Sequence, residues 1–181
     1  MTETVVQTSV ERTERLRRAD LADLCEATEA AILDGNGFGW LRPPPRGQLE
    51  AYWRGVLVVP ERDLFVARLD RVIAGSAQLL RPPPNHEARA FAATLSIHFV
   101  APWARGHGLA RALVDAVERA ARDEGFEVLN LDLRETQVAA IRLYESCGFE
   151  RWGTLPWYAR DEEGEMIAGH FYVKRLAGGA A

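Results

Sequence analysis

Apolar positions recur at helical spacing in some segments of this chain and alternate with polar positions in others. Helical spacing predicts four helices, near residues 20–34, 48–58, 111–123 and 138–146. Strand patterns predict six strands, near residues 63–69, 72–80, 88–100, 128–133, 150–155 and 167–176. The predicted order is two helices, a run of strands, and then strands alternating with helices. This order indicates an α/β fold of the α+β type.

The length of the chain favours one domain. With 181 residues, 48% of them hydrophobic, it can bury a sizeable core. We expect residues 1–17 to form a flexible N-terminus or a first strand. Residues 18–176 are expected to form the domain, and residues 177–181 a disordered tail.

Charge and cysteine content argue against several classes of function. The formal net charge of −4 disfavours nucleic acid or a membrane surface as a partner, because both require a concentrated basic surface. The chain shows no signal-peptide pattern and no apolar run long enough to cross a bilayer, which predicts a cytoplasmic protein. Cys25 and Cys147 lie far apart and lack the spacing of a zinc site, so we expect no metal.

A glycine-containing turn joins the strand that ends near Val100 to the helix that begins near Arg111. Glycines allow a tight turn, and the first turn of a helix offers unpaired N–H groups and a positive dipole end to a phosphate. The P-loop pattern is absent because no lysine is followed by serine or threonine. A dinucleotide fingerprint would require glycine or alanine where Arg111 stands. A different phosphate ligand is therefore indicated.

Two segments together resemble the GCN5-related N-acetyltransferase (GNAT) family. The first is Arg105-Gly-His-Gly108-Leu-Ala110, and the second is residues 139–149, which contain Tyr144 and end in Gly-Phe. Two looser segments, residues 74–79 and 154–174, are similar to the tabtoxin-resistance acetyltransferases. The resemblance implies a mixed, mostly antiparallel sheet that splays apart at the cofactor site and carries helices on both faces.

The resemblance implies acetyl-CoA as co-substrate. Backbone N–H groups of the glycine turn would bind its pyrophosphate, and the exposed edge of the preceding strand would pair with its pantetheine arm. A glutamine replaces the asparagine with which many members contact the cofactor. The residues implied for acetyl-CoA are Phe99, Val100, Arg105, Gly106, His107, Gly108, Leu109, Ala110 and Gln137.

The resemblance also implies a catalytic acid and leaves the base open. Tyr144 matches the residue that protonates the departing thiolate in the family. Many members carry a glutamate as base at the position of Thr94, and threonine cannot accept a proton at neutral pH. The alternatives are Asp132, His98, Glu135 or a water relay. We favour Asp132, because it lies on the polar face of its predicted strand near the expected split in the sheet.

Aromatic residues suggest where an acceptor would bind. Phe38 and Trp40 follow the first helix, which lines the acceptor pocket in the family, and Trp157 and Tyr158 lie in a predicted loop facing it. Such walls favour a small cationic or partly apolar amine. The expected activity is acetyl transfer to a small-molecule amine by direct attack in a ternary complex. Alternatives are a non-catalytic CoA-binding module or an enzyme acting on protein N-termini or lysines, and a homodimer is possible.

Overall fold

The computed structural model describes residues 6–35 and 38–176. The tail predicted for residues 177–181 and the first five residues lie outside the described residues. Within them, the helices are α1 (Arg18–Leu33), α2 (Arg46–Val56), α3 (Leu109–Asp123) and α4 (Val138–Ser146). The strands are β1 (Thr8–Thr13), β2 (Arg62–Leu69), β3 (Val72–Leu80), β4 (Ala92–Val100), β5 (Val128–Arg134), β6 (Glu150–Arg160) and β7 (Met166–Arg175).

The described strands form one mixed sheet. Its order is β1-β2-β3-β4-β5-β7-β6, and every neighbouring pair is antiparallel except β4 and β5. The helices cover both faces. Helices α1 and α2 pack on one face through Leu24, Trp53 and their neighbours, and α3 packs on the other through Leu113 and Val117. This architecture confirms the predicted fold class.

The parallel pair β4 and β5 separates partway along its length. Pairing runs only from Ala92 opposite Val128 to Thr94 opposite Asn130. Beyond these residues the two strands diverge, and β4 continues in register with β3 alone up to Val100. The backbone groups of β4 that face the gap are therefore available to a ligand, as at any unpaired strand edge.

A β-bulge interrupts β4 just beyond the point of divergence. Ser96 lies opposite Gln78 and Phe99 opposite Ser76, so β4 carries one more residue than β3 between these pairs. Ile97 adopts a φ of 47°, which is rare for a β-branched residue. A bulge reverses the faces on which the following side chains lie, relative to an unbroken strand. The strand predicted near residues 88–100 therefore begins at Ala92 and is interrupted by this bulge.

The strand β6 is longer than its sequence pattern predicts. We expected it to end at Leu155, with the next residues in a loop, but pairing with β7 continues to Arg160. Between Leu155 and Ala159, β6 carries two more residues than β7. This irregularity accommodates Pro156, which cannot donate to a regular ladder. The prediction of a loop here was wrong.

Candidate active site

The glycine turn before α3 has the geometry of a phosphate cradle. Gly106 and Gly108 have φ values of 84° and 76°, in the left-handed region that favours glycine. The first hydrogen bond entering the helix runs from the Ala112 N–H to the Gly108 carbonyl, at 3.0 Å. The N–H groups before Ala112 in the first turn of α3 therefore have no acceptor within the helix. A Cβ atom added at either glycine would meet no atom within 4 Å, so the space above the turn is open.

The Arg105 backbone N–H and the side chains of Arg105, His107 and Arg111 already contact other groups of the protein. The Arg105 N–H lies 3.4 Å from the Pro102 carbonyl, and its guanidinium pairs with Asp34 at 2.5 Å. The Arg111 guanidinium donates to Ser146 Oγ at 2.6 Å. The His107 ring lies 3.2 Å from the Ala104 carbonyl and does not line the cleft described below. The turn consequently offers backbone N–H groups more readily than cationic side chains.

Tyr144 and His98 form a hydrogen-bonded pair beside this turn. Tyr144, on α4, is buried with only 6% of its surface exposed, and its hydroxyl lies 2.7 Å from His98 Nδ1. His98 Nε2 lies 3.0 Å from the Ala110 carbonyl, in the first turn of α3. Because a carbonyl only accepts, Nε2 carries the hydrogen and donates it to Ala110. Nδ1 of the neutral ring then accepts the hydroxyl hydrogen of Tyr144.

Burial holds this pair in its neutral form. Burial lowers the pKa of His98 to about 4, although the hydrogen bond to Ala110 opposes the shift. Burial also raises the pKa of Tyr144, with smaller contributions from Cys147 and Asp132. The proton therefore stays on Tyr144 at neutral pH, so its hydroxyl is a hydrogen-bond donor in the resting protein.

Asp132 and Tyr158 form a second pair, which spans β7 beside the split in the sheet. Asp132 is an exposed residue of β5, and its carboxylate accepts a hydrogen bond from the Tyr158 hydroxyl on β6. Burial and this hydrogen bond raise the pKa of Tyr158. Tyr158 belongs to the segment predicted to be a loop facing the acceptor, and the structure places it on the cleft but within β6.

The remaining base candidates lie in less suitable surroundings. Glu135 Oε1 accepts a hydrogen bond from the Ala168 N–H at 3.1 Å, at the edge of β7. Thr94 lies where β4 still pairs with both neighbours. Neither residue lines the cleft, whereas His98 does but is held neutral with its nitrogens engaged. Asp132 is thus the carboxylate that the described structure places on the cleft.

The predicted acceptor residues do not all lie together. Phe38 lines the cleft and packs on Phe99, with ring centroids 4.8 Å apart. Trp40 packs away from the cleft, against Tyr52. Trp157 is 75% exposed and does not line the cleft either, whereas its neighbour Tyr158 does.

The glycine turn, the His98–Tyr144 pair, the Asp132–Tyr158 pair and Phe38 border one cleft of about 860 Å³. It runs along the diverging edge of β4, past the glycine turn and the first turn of α3, to β5, α4 and the end of β6. Of the residues predicted to bind acetyl-CoA, every one except His107 lines this cleft. The Gln137 side chain also accepts a hydrogen bond from the Arg134 N–H at 3.2 Å.

Comparison with known proteins identifies the family. A family model described as "Acetyltransferase (GNAT) family" matches residues 26–149. This chain belongs to the GNAT acetyltransferase family. A relative from Azospirillum brasilense, named as an uncharacterized N-acetyltransferase in the hisH-hisA intergenic region, is 62% identical over 154 residues. The match covers 83% of this GNAT protein and 92% of the relative.

Solved structures share the GNAT fold at low sequence identity. An N-acetyltransferase from Staphylococcus aureus Mu50 superposes with a TM-score of 0.76 at 20% identity, covering 94% of this chain and 99% of that one. A putative acetyltransferase from Salmonella typhimurium, solved with acetyl-CoA, superposes with a TM-score of 0.74 at 20% identity. That match covers 96% of both chains.

As a GNAT N-acetyltransferase, the protein uses acetyl-CoA as its acyl donor. The structure fits this ligand, because the amides of the glycine turn and the open edge of β4 line the same cleft. None of the described helices is long and apolar enough to span a membrane. Among residues 6–35 and 38–176, no group of three or more His, Cys, Asp or Glu side chains could hold a metal ion.

Proposed function

We propose that this GNAT enzyme acetylates the amine of a small molecule by direct attack in a ternary complex. One observation carries the proposal: Tyr144 and Asp132 line one continuous cleft with the phosphate cradle. A tyrosine that retains its proton and a carboxylate that can receive one are thus available to the same reacting centre.

The cradle and the edge of β4 would hold the donor. The amides of Gly108, Leu109 and Ala110 bind the pyrophosphate at the positive end of α3. The backbone of Phe99 and Val100, along the divergence of β4 from β5, pairs with the pantetheine amides. When bound, acetyl-CoA supplies an acyl group activated as a thioester.

Asp132 and Tyr144 have opposite roles in proton transfer: one accepts a proton and the other donates one. Asp132 receives the proton that the attacking amine loses. Tyr144 gives its hydroxyl proton to the departing sulfur, and solvent returns a proton to the tyrosine. A positioned acid or base of this kind contributes about 10²–10⁴-fold to a rate. In this mechanism a backbone N–H of β4 near Phe99 donates to the developing oxyanion.

The surroundings of Asp132 support a small amine as acceptor. Phe38 and Tyr158 contribute aromatic rings to the cleft, and Asp132 contributes an exposed carboxylate. Aromatic faces and a carboxylate both attract a cationic amine. Because the same cleft must also accommodate the pantetheine arm, a compact acceptor fits it better than a folded protein surface.

Release of free CoA thiol tests the proposal. The purified protein, acetyl-CoA and a panel of small amines, amino acids and short peptides would be mixed and thiol formation followed. We expect turnover with one or more small amines, and a fall of about 100-fold in the Asp132→Asn variant. Asp123→Asn is a matched control, because Asp123 ends α3, about 20 Å along the helix from the cradle.

The alternatives predict different results in this assay. Turnover of peptides alone would contradict a small-molecule acceptor and favour a protein substrate. Tight binding of acetyl-CoA by calorimetry, without turnover of any amine, would indicate a CoA-binding module. Equal turnover by the Asp132→Asn variant and the parent protein would remove Asp132 from the mechanism.

A further inference from the structure

The β-bulge in β4 determines where the His98 side chain lies. The residues on either side of it, Ile97 and Phe99, pack with the core beneath α1 and α2. The His98 side chain instead reaches α3 and α4 on the opposite face of the sheet. The positive φ of Ile97 is a strained backbone conformation for a β-branched residue. Strain of this kind is maintained where the surrounding structure requires an unusual side-chain direction.

Both ring nitrogens of His98 form hydrogen bonds, each with a different part of the site. Nε2 donates to Ala110 in the first turn of α3, and Nδ1 accepts from Tyr144 on α4. The two rings lie with centroids 5.6 Å apart, and Tyr144 also packs edge-on against Phe149. The imidazole is therefore a bridge between the helix that forms the phosphate cradle and the residue proposed as the acid.

We infer that His98 is a positioning residue for Tyr144, which it orients and whose hydroxyl hydrogen it holds until the sulfur departs. The inference rests on the proposed function, in which Tyr144 is the acid. The bond from Nε2 to Ala110 selects the tautomer whose Nδ1 has a lone pair. Only that tautomer can accept the hydroxyl hydrogen.

The neutral imidazole suits this role because it accepts without taking the proton away. Its depressed pKa disfavours transfer of the proton from Tyr144 to His98 in the resting protein. A thiolate is a stronger acceptor than a neutral ring nitrogen, since hydrogen bonds to ionised groups are about twice as strong. As negative charge develops on the sulfur, the hydroxyl proton is therefore drawn to the sulfur. The proton that leaves Tyr144 Oη forms the S–H bond, and a proton from solvent replaces it.

NMR of the protein without substrate tests the pairing independently of turnover. With histidines labelled with ¹⁵N, we expect the His98 signal of the Nε2–H tautomer, with Nδ1 shifted by its hydrogen bond. In Tyr144→Phe, the Nδ1 signal should move while the Nε2–H signal remains. A Nδ1–H tautomer, or a Nδ1 signal that Tyr144→Phe leaves in place, would overturn the inference.

Kinetics with an amine that the enzyme acetylates test the positioning role. We expect His98→Phe to lower kcat about tenfold, the loss of roughly one hydrogen bond, while KM for acetyl-CoA stays within about twofold. His98→Asn should recover part of the rate, because its amide oxygen can accept from Tyr144 at the place of Nδ1. The exposed-histidine variant His86→Gln is the matched control and should retain the parent rate.

A double-mutant cycle separates positioning from a merely structural effect. If His98 acts only through Tyr144, the double variant His98→Phe, Tyr144→Phe should be no slower than Tyr144→Phe alone. Losses that multiply would overturn the inference, as would an unchanged kcat in a folded His98→Phe protein. Absence of turnover with every amine would overturn the proposed function and the catalytic part of the inference, whereas the NMR signature alone decides the pairing.

Discussion

The hydroxyl of Tyr158 on β6 donates a hydrogen bond to the carboxylate of Asp132 on β5, across the intervening strand β7. Tyr158 reaches this position because β6 bulges by two residues relative to β7. The Tyr158 ring also packs edge-on against Phe171, which lies directly opposite Asp132 in the register. The carboxylate proposed as the base is therefore held in place from a neighbouring element.

We predict that Tyr158→Phe weakens catalysis through Asp132. The variant keeps the ring and its packing but removes the hydroxyl that donates to the carboxylate. A hydrogen bond to a charged group contributes about 1.5–3 kcal/mol, less where solvent has access, so we expect kcat/KM for the amine to fall about tenfold. Steady-state kinetics would show this fall while the Kd for acetyl-CoA, measured by calorimetry, is unchanged. An unaltered kcat/KM would show that catalysis does not depend on the hydrogen bond from Tyr158 to Asp132.

Gly169, on β7, lies directly beneath the Tyr158 ring, and a Cβ atom added there would overlap that ring. We therefore predict that Gly169→Ala displaces Tyr158, costs about 1–3 kcal/mol of stability, and lowers kcat/KM at least as much as Tyr158→Phe does. Thermal unfolding and thiol-release kinetics measure the two effects. Gly153→Ala is the matched control, because Gly153 lies on the adjoining strand and a Cβ there would meet nothing within 4 Å. Equal stability and equal kcat/KM of the Gly169→Ala and Gly153→Ala variants would contradict this prediction.

The phosphate cradle depends on the backbone conformation of Gly108. Gly108→Ala places a Cβ on a residue with φ near 76°, which costs roughly 1–2 kcal/mol or forces the turn to change. We predict that its Kd for acetyl-CoA rises about tenfold, because the amides at the start of α3 would no longer converge. Gly47→Ala, in the first turn of α2, is a control without a positive φ and should leave the Kd unchanged. Identical affinities in calorimetry would place the phosphate elsewhere.

Local pattern was sufficient to predict much of the fold and part of the site. Alternation along β5 predicts the leucines on one face and Asp132 on the other, as the structure shows. The glycine turn is apparent because residues with positive φ at a strand-to-helix junction are restricted largely to glycine. Both features depend on residues close in sequence.

Positions that follow a bulge could not be predicted in this way. One extra residue in β4 reverses the direction of His98, and two extra residues in β6 bring Tyr158 instead of Trp157 to the cleft. A strand has a period of two, so one inserted residue reverses the expected face of every later side chain, and within an irregular stretch the alternation does not define a face. Register depends on the partner strand, which the pattern within one strand does not reveal.

Acid should weaken the folded protein through His98. The pKa of this imidazole lies near 4 in the folded state and at 6.5 when the ring is fully solvated, so between these values the unfolded chain binds more protons. The lowered pKa of His98 contributes at most about 3 kcal/mol to the free energy of unfolding. This contribution is fully present above pH 6.5 and is lost as the pH falls toward 4. Denaturant unfolding at several pH values would show a steeper loss in the parent protein than in His98→Asn. His86→Gln should keep the parent slope, and equal slopes for the parent and His98→Asn would show that the pKa of His98 is the same in the folded and unfolded states.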